Sequence, residues 1–156
     1  MSAAGVRLRP LGPGDEAFYC GLYTDAALMA HVGPPLSPAA ARRSFAAALR
    51  EAEPRVPLRR RWIILAEGRE AGMIALLGDA CEAEMGCLVL PRCQGRGVSR
   101  GAVIALASLA FAELGLARLH ARCALDNAAA VAVLGRAGFT RRADASGEAC
   151  WEWLPG

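Results

Sequence analysis

A short glycine-containing segment, residues 94–99, constrains the fold of this chain more than any other feature. It reads Gln-Gly-Arg-Gly-Val-Ser and joins a strand-like run, residues 87–91, to an apolar helical run, residues 101–111. Two glycines allow a tight turn whose successive N–H groups point into one concavity. The first turn of the following helix adds unpaired N–H groups and roughly half a positive charge. This glycine loop, with Arg96 adding a full charge, predicts a binding site for a phosphorylated ligand.

The length, composition and net charge of the chain limit the class of protein to which it can belong. A length of 156 residues predicts one domain over residues 1–156, and 54% hydrophobic residues argue against disorder. The net charge of +3 comes from scattered arginines, so we expect no nucleic-acid partner. The longest apolar stretch, residues 101–112, is shorter than the roughly twenty residues of a membrane span. The N-terminus carries no apolar signal segment, and we therefore expect a cytoplasmic protein with no membrane association.

The six cysteines do not form a metal-binding pattern. None of them makes a Cys-x-x-Cys pair, although Cys81, Cys87 and Cys93 recur every six residues. In a cytosolic chain of this size we expect reduced, mostly buried thiols and no metal.

Hydrophobic periodicity and turn residues predict an alternation of strands and helices. Predicted strands cover residues 6–10, 62–66, 71–77, 84–90, 118–125, 139–142 and 148–154. Predicted helices cover residues 16–23, 26–31, 38–53, the run from the glycine loop to about 114, and 127–137. Asp15 and Ser37 are expected as N-caps, and Gly115 and Gly138 as helix ends.

The segment from about 84 to 125 has the order strand, loop, helix, strand. Such a crossover makes its two strands parallel neighbours, whereas residues 62–90 predict an antiparallel three-stranded meander. The predicted fold class is therefore α+β, with a mixed, mostly antiparallel sheet and helices on both faces.

The glycine loop and the later Asn127 to Phe139 block together resemble the GNAT acetyltransferase superfamily. The pyrophosphate loop of that family reads Gln/Arg-x-x-Gly-x-Gly/Ala, which Gln94 and Gly97 match and Ser99 does not. The segments Leu8-Arg9-Pro10-Leu11, Thr24 to Val32 and Glu84-Met85-Gly86-Cys87-Leu88 are similar to the ribosomal-protein N-acetyltransferase (RimJ/RimL-like) branch. Leu134 stands where many members carry a general-acid tyrosine, a residue that this branch often lacks.

The resemblance implies acetyl-CoA as donor, an amine as acceptor and direct attack in a ternary complex. It implies that the backbones of Leu88, Val89 and Leu90 bind the pantetheine and polarise the thioester. The resemblance also implies that the pyrophosphate binds to the loop residues Gln94, Gly95, Arg96, Gly97, Val98 and Ser99. Asn127 is expected to contact the cofactor, with an ordinary helix N-cap as the alternative.

An alkyl ammonium must lose a proton before it attacks, which calls for a general base or a water chain. Glu84 is the candidate base, with Glu82 behind it; a solvated carboxylate at a strand end is the alternative. Tyr19 and Tyr23 are expected to shape the acceptor site or to pack. Trp151 and Trp153 share one strand face and are expected to pack.

Two questions stay open on the sequence alone. A non-catalytic acyl-CoA-binding sensor or regulatory module of the same fold is the rival function. The identity of the acceptor amine is not encoded in any portable motif, and the exposed final strands leave a homodimer as an expectation.

Overall fold

A computed structural model describes residues 5–51 and 58–156, and within them the chain alternates strands and helices. The strands are β1 (Val6–Pro10), β2 (Leu58–Ala66), β3 (Arg69–Gly78), β4 (Glu82–Val89), β5 (Arg118–Ala124), β6 (Thr140–Arg141) and β7 (Glu148–Trp153). The α-helices are α1 (Glu16–Tyr23), α2 (Ala26–Met29), α3 (Pro38–Arg50), α4 (Val98–Ala112) and α5 (Ala128–Ala137). Short 3₁₀ turns cover Pro13–Asp15 and Pro91–Cys93.

The strands form one sheet of order β1-β2-β3-β4-β5-β7-β6. Its β4–β5 pair is parallel, and the other neighbouring pairs are antiparallel. The helix α4 makes the crossover between the parallel strands, as the strand–loop–helix–strand order predicts. The predicted α+β class, with a mixed and mostly antiparallel sheet, is confirmed.

Alternation along the strands sends apolar side chains to both faces of the sheet. In β2, Trp62 and Ile64 belong to the core that includes α4 and α5, whereas Ile63 belongs to the core that includes Tyr19 of α1 and Phe45 of α3. All three β2 side chains are almost fully buried. Successive side chains of a strand point to opposite faces, so helices must cover both sides of this part of the sheet.

The apolar helix α4 lies against the centre of the sheet. Its buried residues recur at helical spacing and include Ala102, Val103, Leu106, Ala107 and Ala110. Small residues in this stripe let the helix approach the strands closely. No helix in the described part of the chain is long and apolar enough to cross a membrane.

The helix α5 ends at a glycine that packs against the last strand. Gly138 has φ +137°, and a Cβ there would lie 2.8 Å from Cζ2 of Trp153. Trp153 also makes edge contacts with the rings of Phe111 and Phe139. Trp151 and Trp153 pack in the same core, as their shared strand face predicts.

The expected role of Asp15 as a side-chain N-cap is wrong. Its carboxylate accepts hydrogen bonds from the Gly12 N–H at 2.7 Å and from both terminal nitrogens of Arg9, at 2.9 and 3.0 Å. The hydrogen bond from Arg9 is the main reason that the pKa of Asp15 is lowered. A buried carboxylate is stabilised more by a bidentate guanidinium than by one helix N–H, so Asp15 ties β1 to the turn before α1 instead.

Several boundaries differ from the prediction by a few residues. The helix α4 ends at Ala112, and β6 is confined to Thr140–Arg141. The expected extension of α3 to residue 53 lies partly outside the described residues, because the description stops at residue 51 and resumes at residue 58. Ser37 caps α3 as predicted, its Oγ accepting the Ala40 N–H at 3.1 Å.

Candidate functional site

The two parallel strands separate halfway along β4. Pairing with β5 runs from Glu82 opposite Arg118 to Met85 opposite Ala121, while β4 stays paired with β3 as far as Val89 opposite Gly72. Residues 86–89 of β4 therefore leave β5, and β5 continues along β7. Backbone groups on the free side of β4 are left for a ligand, because the neighbouring strand no longer satisfies them.

Hydrogen-bond alternation decides which backbone groups face this split. The Leu90 N–H donates to the Ala71 carbonyl at 2.8 Å, so Leu90 and, two residues earlier, Leu88 bond toward β3. Cys87 and Val89 then present their N–H and C=O groups to the split.

The roles that the resemblance implies for the backbones of Leu88 and Leu90 stay predictions, and in this structure both residues bond toward β3. The Leu90 carbonyl accepts the Cys93 N–H at 2.9 Å, and the Leu90 N–H is held by Ala71. The Leu90 N–H is thereby occupied, whereas its carbonyl keeps a second lone pair. Strand alternation brings Cys87 to the same side of β4 as Val89, and no sequence pattern pointed to Cys87.

The glycine loop begins directly beyond the split and ends at the N-terminus of α4. Gly95 and Gly97 have φ values of +74° and +79°, the left-handed region that glycine adopts without strain. Gly97 is the N-cap of α4 and makes no side-chain cap, so the first-turn N–H groups stay directed at the groove. Arg96 and Ser99 line the groove, whereas the Val98 side chain packs in the core.

Two further contacts shape this end of the groove. Gln94 donates from Nε2 to the Val89 carbonyl at 3.1 Å, which leaves the Val89 N–H as that residue's free group toward the split. At Gly72 of β3, a Cβ would lie 2.1 Å from the Leu88 carbonyl oxygen. A glycine inside a strand signals such a close approach, and this signal was available in the sequence.

A groove of about 1210 Å³ runs along the split strands. Its walls include the glycine loop, β4, β5 and α5, together with residues from α1, α2 and the segment that follows α2, among them Tyr23, Leu28 and His31. His31 Nδ1 lies 3.9 Å from Asp126 Oδ1, so the segment after α2 approaches the loop after β5. The groove is therefore long, with the anion-binding loop at one end and side chains of α1 and α2 at the other.

Glu84 lies on the groove wall in a bidentate ion pair. Arg122 of β5 donates from Nε to Glu84 Oε1 at 2.6 Å and from Nη2 to Oε2 at 3.2 Å. Nη1 of the same guanidinium lies 3.6 Å from Glu148 Oε1. Glu82, the second candidate base, instead approaches His120 and Arg118 at 3.4 and 3.9 Å and does not line the groove. No sequence motif pointed to Arg122.

The two tyrosines of α1 have different surroundings. The Tyr19 hydroxyl lies 2.6 Å from Ser44 Oγ and is buried in the core, while Tyr23 lines the groove. Burial is the main cause that raises the pKa of Tyr23 to about 12. Tyr23 therefore stays protonated near neutral pH, and its O–H is available to the groove as a hydrogen-bonding group.

Asn127 and Leu134 place α5 against the groove. The Asn127 Oδ1 accepts the Ala130 N–H at 3.2 Å, so this side chain caps α5, and its amide nitrogen is the part that can reach a ligand. Leu134 also lines the groove and is almost fully buried. Because position 134 is a leucine, α5 offers no phenol O–H to the groove there.

The groove wall also includes Cys87 and Cys123, both free thiols. Burial raises the pKa of the Cys87 thiol to about 12, which keeps it protonated. Among the described residues, no group of three or more His, Cys, Asp or Glu side chains could hold a metal ion.

A sheet split at a parallel strand pair, with an anion-binding glycine loop beyond the split, defines the class of acyl-group transferases that the resemblance implied. The model of the acetyltransferase (GNAT) domain matches residues 6–140. The chain therefore belongs to the GNAT acetyltransferase family, and the enzyme class predicted from its sequence is confirmed.

Solved structures share this fold over almost the whole chain. An acetyltransferase from Agrobacterium tumefaciens is 25% identical with a TM-score of 0.80, covering 99% of this chain and 94% of that one. The spermidine N-acetyltransferase from Vibrio cholerae, in complex with CoA and spermine, is 19% identical with a TM-score of 0.80, covering 96% and 94%.

A third similar structure is an aminoglycoside acetyltransferase in complex with coenzyme A. It is 17% identical with a TM-score of 0.81, covering 96% of this chain and 94% of that chain. A search of curated proteins found no match. At these identities the likeness establishes the GNAT fold, and the acceptor has to be argued from the groove.

Proposed function

We propose that this protein transfers the acetyl group of acetyl-CoA to a primary amine, by direct attack in a ternary complex. The observation that carries the proposal is the split between β4 and β5, with the glycine loop directly beyond it. An extended thiol-bearing chain can lie along the free edge of β4 while its pyrophosphate meets the loop and the α4 N-terminus. Similar structures that contain CoA or acetyl-CoA support this choice of donor.

Backbone groups supply most of the donor site in this proposal. The N–H groups at the N-terminus of α4 bind the pyrophosphate, with Arg96 and the Ser99 hydroxyl beside them. The N–H and C=O of Cys87 and the N–H of Val89 bind the pantetheine. An N–H directed at the thioester oxygen stabilises the negative charge that develops there during attack.

Glu84 is the proposed general base. It takes one proton from the acceptor ammonium, and the freed lone pair forms the new C–N bond. The C–S bond then breaks, and the leaving thiolate receives the second proton released by the nitrogen. Glu84 finally returns its proton to water, so the reaction yields an amide, free CoA and one proton.

A covalent acetyl-cysteine intermediate is a less suitable route. Cys87 lies on the groove wall, but the raised pKa keeps its sulfur as a thiol near neutral pH. The thiolate is the form that attacks a thioester, so this sulfur is a poor nucleophile. Direct attack by the amine needs no such intermediate.

The acceptor end of the groove favours a single amine over a polycation. Among the described residues that line the groove, the carboxylates are Glu84 and Glu148, and Arg122 lies against both. Exposed apolar residues, Val32 and Leu77, line the same groove. A protein N-terminus or a small monoamine fits this mixture better than a polyamine, which would need several unpaired carboxylates.

The branch of the family, the domain count, the cellular location and the oligomeric state stay proposals. The lack of a general-acid tyrosine at Leu134 supports the RimJ/RimL-like branch, which often lacks it. We also propose one domain over residues 1–156, a cytoplasmic location and a homodimer, for which the exposed final strands offer a surface. Sedimentation of the purified chain would test the dimer.

The test is acetyl-CoA-dependent release of free thiol with a panel of amines. The panel contains short peptides with free N-termini, small monoamines, spermidine and an aminoglycoside, and mass spectrometry of the acceptor accompanies each assay. We expect turnover with at least one monoamine or peptide. Tight CoA binding without turnover on any acceptor would favour the non-catalytic acyl-CoA-binding module, and no CoA binding would overturn the proposal.

A further inference from the structure

We infer that Arg122 is a positioning residue that holds the Glu84 carboxylate at the base of the strand split and moves to Glu148 when Glu84 takes up a proton. This inference rests on the proposed function, because it assigns the step to the same groove. Three side chains from three neighbouring strands carry it: Glu84 from β4, Arg122 from β5 and Glu148 from β7.

Arg122 lies at the point in the sheet where β4 and β5 separate. The last β4–β5 pair is Met85 opposite Ala121, and Arg122 is the next residue along β5. Its side chain reaches back to Glu84, whose own register partner is His120. The ion pair therefore spans the last backbone pair of the two strands, with Glu84 one residue before that pair and Arg122 one residue after it.

The guanidinium of Arg122 faces two carboxylates at once. Nε and Nη2 bind both oxygens of Glu84, while Nη1 points toward Glu148 at 3.6 Å. A planar fork that contacts two carboxylates can transfer its main contact from one to the other by a small rotation. The hydrogen bond that Arg122 donates to Glu84 is the main reason that the pKa of Arg122 is raised, and a guanidinium stays charged near neutral pH even without that partner.

The charge on Glu84 changes during the proposed reaction, and Arg122 needs a counter-charge throughout. When Glu84 accepts the proton of the acceptor ammonium it becomes neutral and loses its attraction for Arg122. Glu148 is then the remaining anion within reach, and the guanidinium is not left without a counter-charge. When Glu84 releases the proton, the original pair re-forms, which returns the carboxylate to one orientation for the next turnover.

Other charged groups face this cluster and must be considered in any pH measurement. On the same face of the sheet are Glu82 and His120, which pair with each other. Residues from other elements that line the groove with Glu84 are His31, Tyr23 and Arg61. The remaining ionisable groups of the groove wall belong to the glycine loop, α4, α5 and the two thiols: Arg96, Arg100, Arg136, Cys87 and Cys123.

The experiment compares Arg122→Gln, Arg122→Lys and Glu148→Gln in the full chain. For Arg122→Gln we expect an unchanged KM for acetyl-CoA and a kcat lowered about tenfold. We also expect the acidic limb of the kcat/KM profile to move to higher pH, because the Glu84 carboxylate loses the cation that is hydrogen-bonded to both of its oxygens. Arg122→Lys should restore the position of that limb but only part of kcat, since an ammonium lacks the fork.

Glu148→Gln should lower kcat less, and it should leave the acidic limb where it is. The matched control is Arg118→Gln on the same strand, which pairs with Glu82 and Glu152 and does not line the groove. This control should match the wild type in both kcat and pH profile. A parallel loss at every pH in Arg122→Gln, not reversed by Arg122→Lys, would overturn the inference.

A second measurement does not depend on an acceptor. Carbon-detected NMR titration of the glutamate carboxylates, with Glu84 assigned from Glu84→Gln, follows the ionisation of this side chain directly. The Glu84 titration midpoint should rise in Arg122→Gln and stay unchanged in Arg118→Gln. Equal midpoints in wild type and Arg122→Gln contradict this inference even if CoA binds and turnover occurs, whereas failure of wild-type CoA binding contradicts the proposed function itself.

Discussion

The two ends of the groove are built from different parts of the chain. The end that we propose for the donor consists of backbone: the free edge of β4, two glycines with positive φ and the N-terminus of α4. The end that we propose for the acceptor consists of side chains: the Glu84–Arg122–Glu148 cluster and residues of α1 and α2. Backbone recognition depends on conformation, so few substitutions abolish it. Side-chain recognition depends on residue type, so the acceptor can change while the donor stays the same.

The largest expected effect is loss of the donor site in Gly97→Val. A β-branched residue at φ +79° costs about 1–3 kcal/mol and would displace the first turn of α4. We expect CoA binding to become undetectable by titration calorimetry. Gly115→Val, at φ +67° beyond the other end of α4, is the matched control. It should lower stability and leave the CoA dissociation constant unchanged; equal losses in both variants would mean that general destabilisation is responsible.

Glu84→Gln tests the acceptor end. Loss of a general base typically lowers the rate about 100-fold, and we expect a loss of that order in kcat at neutral pH with CoA affinity intact. Glu82→Gln discriminates between the two candidates, because Glu82 pairs with His120 and Arg118 away from the groove. A pH–rate profile of Glu84→Gln that coincides with the wild type would remove Glu84 from the mechanism and leave a water chain.

Arg96→Ala should have a moderate effect on the donor end. If backbone N–H groups carry most of the pyrophosphate binding, losing this exposed charge should weaken CoA binding about three- to tenfold, or roughly 1 kcal/mol. Calorimetry at two salt concentrations measures it, and the loss should shrink at high salt. Arg92→Ala, in the preceding 3₁₀ turn and off the groove wall, serves as the control. A larger loss in Arg96→Ala than in Gly97→Val would contradict the backbone account.

Asn127 offers the smallest and most selective test. Asn127→Ala removes the α5 cap and should cost about 1 kcal/mol of stability in denaturant unfolding. Asn127→Asp keeps a capping oxygen but loses the amide donor. If Asn127 contacts the cofactor, both variants weaken CoA binding. If it only caps the helix, Asn127→Asp retains wild-type stability and wild-type CoA affinity.

Local patterns predicted the elements because their signals lie within a few residues. Short runs separated by turn residues marked β2, β3 and β4, and the glycine loop marked the start of α4. The errors fall where distant residues compete for the same group. Asp15 was expected to cap α1, but Arg9 and Gly12 take its oxygens. A distant partner also takes the Leu90 N–H, which donates to the Ala71 carbonyl, while the predicted role of Leu90 in cofactor binding stays a prediction.

The residues of the candidate site also differ in whether a local sequence pattern could predict them. The loop residues could be proposed from the sequence because glycines at fixed spacing have a local physical meaning. Arg122 was not found, since an arginine in a strand carries no local signal that a carboxylate lies opposite. Gly72 carried a weak signal, a glycine within a strand, whose meaning became specific only when the Leu88 carbonyl was found 2.1 Å from its Cβ position.

The sequence by itself determined the order of elements, the parallel crossover and the anion-binding loop, because each follows from the conformational preferences of neighbouring residues. Only the tertiary structure decided where β4 leaves β5, which backbone groups face the split, and that Glu84 is paired with Arg122. Those features depend on strand register and on residues far apart in the chain, which no local pattern encodes. The donor site is thus largely a property of local sequence, whereas the acceptor site is a property of the assembled sheet.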